Sequence, residues 1–274
     1  MTAVFKFIPS LSLACALLAG ATLSQAGVFE IAVSPARFEV SAKSGGRLGQ
    51  SLEIFNQDSQ AAELVVKTLD WDYTERGELK FYDELRPGSC REWVTLERPR
   101  LKVPARGKST YRFQIDVPAG APVQECRLML AIEGAQPVAQ PTVQNGGVSV
   151  SLPVNGRIGV AVYVAINGAQ PVLKIDSVTT LKTAGKPDQP AVIVSNSGNA
   201  HGRLDGALDA RDANGQTFEM TPDNSPIMPG QTRTIVLQPR HIADMKPLTV
   251  ALPIKTSGTL DWDNGSFKVD AEFK

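Results

Sequence analysis

Apolar and polar residues alternate in short runs along nearly the whole chain after residue 27. Residues 111–117 show the pattern clearly, because four apolar side chains are separated by three polar ones. A period of two puts the apolar side chains on one face of an extended strand. No stretch after residue 27 has the period of an α-helix, and turn residues such as those at 104–107 separate the runs. The sequence therefore predicts an all-β chain of short strands.

The runs fall into two groups. About seven strands in the first hundred or so residues of the mature chain predict an antiparallel sandwich. The first of these strands changes phase at Pro35, so we expect it to change its pairing partner there. The second half repeats the arrangement, with residues 248–254 as one of its strands, and residues 166–171 interrupt the pattern between the halves. We predict two β-sandwich domains, at residues 27–168 and 169–274.

The beginning of the chain has the organisation of a secretory signal peptide. A lysine, an apolar run at 7–18 and a small-residue site at 24–26 follow one another. We expect cleavage after Ala26, which makes residues 1–26 the signal peptide. A lipoprotein signal at Cys15 is an alternative, although the residue three positions before it is too small. The mature protein is expected in the periplasm, with the cell surface or secretion as the alternative.

The mature chain is close to neutral. The sequence has 28 Lys and Arg against 28 Asp and Glu, and the signal peptide removes one lysine, so the mature charge is 27 − 28 = −1. Nucleic-acid binding favours a basic surface, so we expect no nucleic acid among the partners. No other apolar run is long enough to span a bilayer, so no direct insertion into a membrane is predicted.

Cys90 and Cys126 remain after the signal peptide is removed. Two cysteines in an exported chain most often form one disulfide. The alternative is a reactive thiol, which needs a base nearby, and neither His201 nor His241 is close to a cysteine in the sequence. We therefore predict a disulfide between Cys90 and Cys126.

Residues 148–166 combine an apolar row, a cation and a second apolar row. Pro153 lacks a backbone donor and is tolerated at a sheet edge, so this segment is predicted to be an edge strand. Such an edge can accept an extended partner segment through main-chain hydrogen bonds; the alternative is a closing strand that is covered by the protein's own loops. Residues 137–147 before it are predicted to be a flexible connection. The first apolar row consists of Val148, Val150, Leu152 and Val154.

The sequence carries no motif for catalysis or for metal binding. It has two histidines and lacks a nucleophile elbow, a phosphate-binding glycine loop and a metal-ligand cluster. Residues 212–215 and 261–265 each contain part of a calcium-loop pattern, but hairpin turns explain both. Asp70 and Asp72 flank Trp71 on a predicted strand and are expected to point to solvent. No enzymatic activity, cofactor or metal site is predicted.

Six segments carry a resemblance to a known family. They are VSPARFEV, SLEIFN, WVTLERPRLKVPARGKSTYRFQI and VSVSLPVNGRIGVAVYV in the first half, and VIVSNSGNAHG and IMPGQTRTIVL in the second. On these segments the mature chain resembles the periplasmic chaperones of chaperone–usher pilus assembly, the PapD-like family, as a divergent member. The resemblance implies two immunoglobulin-like sandwiches in tandem, set at an angle.

The resemblance also implies a mechanism and partners. Such a chaperone binds and stabilises pilus or fimbrial subunits by lending them an edge strand, and it delivers them to an outer-membrane usher. By motif position, Arg37 and Arg157 would hold the C-terminal carboxylate of the subunit, which suits the arginine fork. The apolar row at 148–154 would be the donated strand. An edge of this kind can also pair with a second copy of the chain.

The sequence departs from the family pattern in three places. Arg157 stands where the family usually has lysine, residues 124–129 replace the family's Arg-Glu-Ser segment, and Pro153 lies inside the donor strand. The alternative function is therefore a secreted or surface-associated structural or adhesive β-sandwich protein without chaperone activity.

Overall fold

The structure, a computed structural model, describes residues 29–73, 79–135, 142–145, 148–151, 156–185 and 187–274. The predicted signal peptide lies outside these ranges. Within them the chain consists of β-strands and connections, with one turn of 3-10 helix at Arg91–Trp93. No helix in the described part of the chain is long and apolar enough to cross a membrane. The predicted all-β class is confirmed for these residues.

The first half of the chain folds into a sandwich. Its sheets have the orders β1-β3-β8-β6 and β2-β12-β9-β4-β5, with β7 paired to β4, and β10 and β11 form a separate hairpin. Leu52, Tyr111 and Leu128 are among the fully buried side chains of the core between the sheets. The strands are Ile31–Ser34 (β1), Arg37–Ala42 (β2), Arg47–Asn56 (β3), Ala62–Tyr73 (β4), Leu79–Tyr82 (β5), Val94–Leu96 (β6), Arg100–Val103 (β7), Lys108–Asp116 (β8), Glu125–Gly134 (β9), Thr142–Asn145 (β10), Val148–Ser151 (β11) and Arg157–Ile166 (β12).

The N-terminal segment supplies a strand to each sheet of this sandwich. β1 pairs with β3 in antiparallel orientation, and β2 pairs with β12 in parallel orientation. The chain changes sheets at Pro35, where the sequence pattern changes phase, so the predicted change of partner is confirmed. Because successive residues of a strand face opposite sides, Phe38 enters the core while Arg37 and Glu39 remain on the outside.

The second half forms one continuous sheet that folds over itself, in the order β13-β14-β17-β16-β15-β18-β19. β17 belongs to both layers, because residues 232–236 pair with β14 and residues 237–240 pair with β16. Leu208 and Phe218 lie in the core that the layers enclose. The strands are Leu173–Leu181 (β13), Gln189–Asn196 (β14), Asp205–Arg211 (β15), Thr217–Pro222 (β16), Thr232–Arg240 (β17), Ile254–Trp262 (β18) and Gly265–Phe273 (β19).

The two immunoglobulin-like sandwiches predicted from the sequence are confirmed. We call strands β1 to β12 with their loops the first unit, and β13 to β19 with theirs the second unit. The predicted domain boundary, after residue 168, falls in the connection between β12 and β13 and stays a prediction.

The two partial calcium-loop patterns lie in hairpin turns. Residues 212–216 connect β15 to β16, and Trp262 pairs with Gly265 where β18 turns into β19. In the first turn the Asp212 carboxylate accepts backbone hydrogen bonds from Asn214 and Gln216, both at 2.9 Å. The carboxylate thus satisfies the turn's own N–H groups, as the hairpin interpretation requires.

Two segments differ from the prediction. Residues 248–254 alternate like a strand, but β18 begins only at Ile254. The apolar side chains at 248, 250 and 252 are nevertheless packed against the second core, so their alternation reflects burial without strand pairing. The predicted flexible connection at 137–147 contains β10, which pairs with β11. Two alternating segments on either side of the sequence Asn-Gly-Gly form a hairpin signal, which the proline-rich start of the connection obscured.

Asp70 does not point to solvent, contrary to the prediction. Its buried carboxylate accepts a hydrogen bond from the backbone N–H of Arg86 at 2.8 Å and lies 3.6 Å from the Arg91 guanidinium. Trp71 occupies the other face of β4 and is buried as well. Both faces of β4 are therefore covered here, and the buried charge of Asp70 is tolerated because it is paired and hydrogen-bonded.

Candidate functional site

One face of the β2-β12-β9-β4-β5 sheet looks away from the core of its own sandwich, and we call it the outer face. In β12 the even-numbered residues from 158 to 166 pack into or against that core, so Arg157 lies on the outer face. β2 pairs Arg37 with Ala161, which puts Arg37 on the same face. The two predicted anchor residues are four positions apart along β12, about 13 Å of extended chain.

Arg157 is paired within the first unit. Its Nε lies 2.6 Å from Oε1 of Glu133, the residue opposite it on β9. Nζ of Lys67 lies 3.4 Å from the same oxygen. The Arg157 guanidinium also lies 5.6 Å from the centre of the Phe81 ring, within the range of a cation–π interaction. The side chain keeps 40% of its surface exposed, so it stays accessible to a ligand.

Arg37 is paired at the junction of the two units. Its Nε donates a hydrogen bond to Oε1 of Glu39 at 2.7 Å. The same oxygen lies 3.4 Å from Nε of Arg203 and 3.4 Å from Nε2 of His201, which both belong to the second unit. These four side chains line a cleft of about 470 Å³ between the units.

The structure therefore brings Arg37 together with residues that the sequence interpretation did not pair with it. Glu39 lies beside Tyr163 along β2 and β12, whereas Glu133 lies opposite Arg157. Arg37 pairs with Glu39 and Arg157 with Glu133, and no carboxylate of the described residues pairs with both arginines. Arg37 and Arg157 share a face, and each has its own electrostatic surroundings.

His201 docks the second unit on the first. Its Nδ1 lies 2.7 Å from Oε2 of Glu125, a buried carboxylate on β9. The backbone of Glu125 donates to the carbonyl oxygen of Asn199 at 2.8 Å. The imidazole stacks on Tyr163 with ring centres 3.9 Å apart, and burial raises the pKa of Tyr163 well above its ordinary value. The phenol is thus neutral at the junction.

An apolar cluster extends the same junction. Met228, in the loop between β16 and β17, is buried against side chains of the outer face. Nearby, the Arg233 guanidinium lies 4.7 Å from the centre of the Tyr73 ring. The cluster consists of Leu69, Trp71, Met129, Ala131, Tyr163 and Met228. Since five members come from the first unit and one from the second, the outer face is partly an interface.

Glu39 is the charged group at the centre of the cleft. Burial would raise its pKa, but the charges of His201, Arg37 and Arg203 and the hydrogen bond from Arg37 together outweigh burial and hold the pKa of Glu39 below its ordinary value. The carboxylate is therefore ionised at neutral pH. Its negative charge allows Arg37 and Arg203 to approach each other across the units.

β12 has one open stretch of edge. Its β9 side is paired along residues 157–165, whereas its β2 side is paired only along residues 161–166. Residues 157–160 therefore have a strand partner on one side only among the described strands. The open stretch ends at Ala161, where β2 begins at Arg37.

The predicted donor row lies before this open stretch. Val148 and Val150 belong to β11, which pairs with β10 along one side and has no second partner among the described strands. Leu152 and Val154 lie outside the described residues. Half of the row is thus strand, as predicted, and its role stays a prediction.

Cys90 and Cys126 form the predicted disulfide. Their Cα atoms are 5.6 Å apart, within the range that the bond requires. The bond ties the segment before β6 to β9, the strand that also carries Glu125 and Glu133. The prediction of this bond is confirmed.

The sequence interpretation missed Glu39, Glu125, His201 and Arg203 as site residues. Glu39 had a local signal, because it is two positions from Arg37 and therefore shares its face. His201 and Arg203 belong to the asparagine-bearing segment that carried part of the resemblance, but nothing local places them against the first unit. Their contacts with Glu39 span more than 160 residues of chain, such as the separation of 164 from Arg203.

No family model and no curated protein matches the sequence. The structure is similar to solved structures of three chaperones. These are YadV (13% identity, 89% of this chain and 99% of that chain covered, TM-score 0.47), DraB of E. coli (14%, 90% and 97%, 0.43) and CupB2 of Pseudomonas aeruginosa (12%, 89% and 100%, 0.44). At such identities the site has to be described from the contacts of this chain itself.

Proposed function

We propose that this protein is a periplasmic chaperone that binds pilus or fimbrial subunits by donating an edge strand and delivers them for assembly at the surface. The observation that carries the proposal is the open edge of β12 at residues 157–160, with Arg157 at one end and Arg37 at the other. A strand of a subunit added there would form main-chain hydrogen bonds with β12. In a protein that binds no strand, such an open edge is ordinarily covered by other residues or protected by charged side chains.

The position of β2 supports the direction of the added strand. β2 occupies the continuation of the same edge from Ala161 onwards and runs parallel to β12. A subunit strand that also runs parallel to β12 would end where β2 begins, so its C-terminal carboxylate would reach Arg37. The donated segment would comprise residues 148–160, with Val148, Val150, Leu152 and Val154 as its apolar row. Arg157, which is on the same face of the sheet, is proposed as the second residue that holds the subunit's C-terminal carboxylate, as the resemblance implies.

The proposed function also implies a cellular location and a second partner. Export through the signal peptide at residues 1–26 would bring the chain to the periplasm, and an outer-membrane usher would receive the loaded chaperone. We also propose residue 168 as the end of the first domain, since β12 and β13 lie on either side of it.

The test is capture of a subunit by the tagged mature protein in the periplasm of its own host, with mass spectrometry of the proteins that co-purify. We expect a small β-rich secreted subunit with the wild type and its loss with Val150→Asp, because an apolar pocket of the subunit would receive an unpaired charge. Ser149→Asp is the matched control, since residue 149 alternates with the members of the apolar row in the sequence and should leave capture intact.

The arginines are tested in the same assay. Arg37→Ala and Arg157→Ala should each reduce capture at least about tenfold, the effect of one lost charge-assisted hydrogen bond, while Arg47→Ala on the other sheet should not. Equal capture by Val150→Asp and Ser149→Asp, or undiminished capture by the double Arg37→Ala, Arg157→Ala protein, would contradict strand donation.

A further inference from the structure

We propose that Arg37 and Arg203 form a carboxylate-binding site across the two units, in which Glu39 occupies the place of a bound polypeptide's C-terminal carboxylate. The inference rests on the proposed function and names two further residues of that site. Arg203 is a binding residue, and Glu39 is a competitor that must leave when the polypeptide binds.

The contacts of Glu39 carry the proposal. One oxygen, Oε1, is the meeting point of Arg37 at 2.7 Å, Arg203 at 3.4 Å and His201 at 3.4 Å. Three basic side chains from two units converge on a single carboxylate oxygen. The cleft therefore already binds a carboxylate, and that carboxylate belongs to the protein.

Arg203 is held in place for this role. Its Nη1 donates to the carbonyl oxygen of Asn224 at 2.6 Å, and its Nη2 lies 3.4 Å from the hydroxyl of Tyr163. Its side chain is only 15% exposed, so few alternative rotamers are open to it. A pre-oriented guanidinium loses little conformational entropy when a ligand arrives.

Glu39, in contrast to Arg203, is not confined by burial. Its side chain is 41% exposed, and it sits on the edge strand β2, so it can rotate towards solvent without disturbing the core. Removing it leaves Arg37 and Arg203 facing each other across the cleft, and the incoming carboxylate replaces the lost negative charge. The exchange conserves the charge of the site.

The location of the site fits a chain terminus. Arg37 is the first residue of β2, and the open edge of β12 stops there. A strand that pairs along residues 157–160 runs out of free edge at this point, so its next atoms enter the cleft. Asp205, Asp261 and Asp263 also line the cleft and repel a carboxylate, which leaves the position between Arg37 and Arg203 as the favourable one for it.

The experiment measures dissociation constants of two synthetic peptides by fluorescence anisotropy. Both are ten-residue peptides of alternating valine and threonine behind a labelled lysine pair; one ends in a free carboxylate and the other in an amide. The proteins are the wild type, Arg37→Gln, Glu39→Gln, Arg203→Gln and the control Arg211→Gln, an exposed arginine at the end of β15. Circular dichroism and gel filtration verify that each variant is folded.

The wild type and Arg211→Gln should prefer the free carboxylate over the amide. Glu39→Gln should bind the carboxylate peptide about tenfold more tightly, and Arg203→Gln about tenfold more weakly, with little change for the amide peptide in either case. The gain in Glu39→Gln keeps the test decisive, because a misfolded protein does not bind more tightly.

Two outcomes would overturn this inference. A carboxylate preference that disappears in Arg37→Gln but is unchanged in Glu39→Gln and Arg203→Gln overturns this inference and leaves the proposed function standing. Failure of all the proteins to bind either peptide overturns strand addition, and this inference with it.

Discussion

Glu39 shows how one side chain can serve both the fold and the binding site. It is ionised because the charges of His201, Arg37 and Arg203 and the hydrogen bond from Arg37 together outweigh its burial, and its carboxylate keeps Arg37 and Arg203 close together across the two units. The same three basic side chains form the proposed carboxylate-binding site. In the proposed function, a residue that stabilises the free protein would therefore also compete with the carboxylate of a bound polypeptide.

The ionisation of Glu39 makes part of the folding stability depend on pH. The pKa of Glu39 is lower in the folded chain than its ordinary value of 4.5, so the unfolded chain takes up the proton first as the pH falls. The stabilisation is therefore complete above pH 4.5 and is lost as the pH falls through the lower, folded value. We expect the difference in unfolding free energy between the wild type and Glu39→Gln to shrink as the pH is lowered from 7 to 3.

Urea titrations at several pH values measure this difference. The control is Glu272→Gln, which removes an exposed carboxylate at the end of β19 and should give a small difference with little pH dependence. A difference between wild type and Glu39→Gln that stays constant down to pH 3 would mean that Glu39 gains nothing from its neighbours.

Side-chain parity was predictable from the sequence, and long-range contact was not. Alternation alone predicts that Arg37 and Phe38 lie on opposite faces of their strand, and likewise Arg157 and Ile158. The structure confirms both predictions. The contact of Glu39 with Arg203 joins residues 164 positions apart. No local pattern reports such a pair, because it depends on how the two sandwiches are docked.

Strand β12 connects the fold to the proposed function. Its inner face supplies the core with fully buried valines and an isoleucine, including Val160, Val162 and Ile166. Its outer face carries Arg157 and Tyr163, and its edge is open for four residues, 157–160. Pairing with β9 and burial of the inner face already order β12. Little conformational entropy is therefore lost when a partner strand pairs with its free edge.

Strand β9 holds β12 in position, and the disulfide anchors β9. The bond between Cys90 and Cys126 closes a loop with a sequence separation of 36. Loop closure of that length restricts the unfolded chain by about 4 kcal/mol. We expect the double Cys90→Ala, Cys126→Ala protein to lose about that much unfolding free energy in guanidinium titrations; alanine avoids burying two serine hydroxyls where both cysteines are buried.

Reductant provides the control for the disulfide. It should lower the stability of the wild type towards that of the double variant and leave the double variant unchanged. A double variant as stable as the oxidised wild type would show that the loop is already ordered without the bond.

Strands with clear alternation and turn signals were predictable. A strand that pairs in both layers, and a segment that alternates without forming a strand, were not. β8 and the β15-β16 hairpin follow from the sequence. β17 gave no sign that its two halves pair with different strands, because this strand continues without interruption and its period of two stays intact. Residues 248–252 alternate without forming a strand, since burial against the second core produces the same pattern.

The two sandwiches are joined by polar and by apolar contacts. His201 reaches Glu125 and Glu39 across the junction, while Met228 packs on Trp71, Met129 and neighbouring residues of the outer face. A cleft whose walls come from different units has a fixed shape only if such contacts hold the units together. The carboxylate site at Arg37 and Arg203 therefore depends on the junction as a whole.

A substitution at Met228 tests whether the apolar contact holds the two units together. It is 2% exposed, and Met228→Lys would place a charge among apolar side chains of the first unit. We expect a loss of at least about 2 kcal/mol, the lower limit for truncating a buried methionine, and separate unfolding transitions for the two sandwiches in calorimetry. Met245→Lys, at a position that is 47% exposed, should keep the wild-type profile. If Met228→Lys unfolds like the wild type, the polar contacts of His201 and Arg203 with the first unit are sufficient to couple the units, and the apolar contact is dispensable for the shape of the cleft.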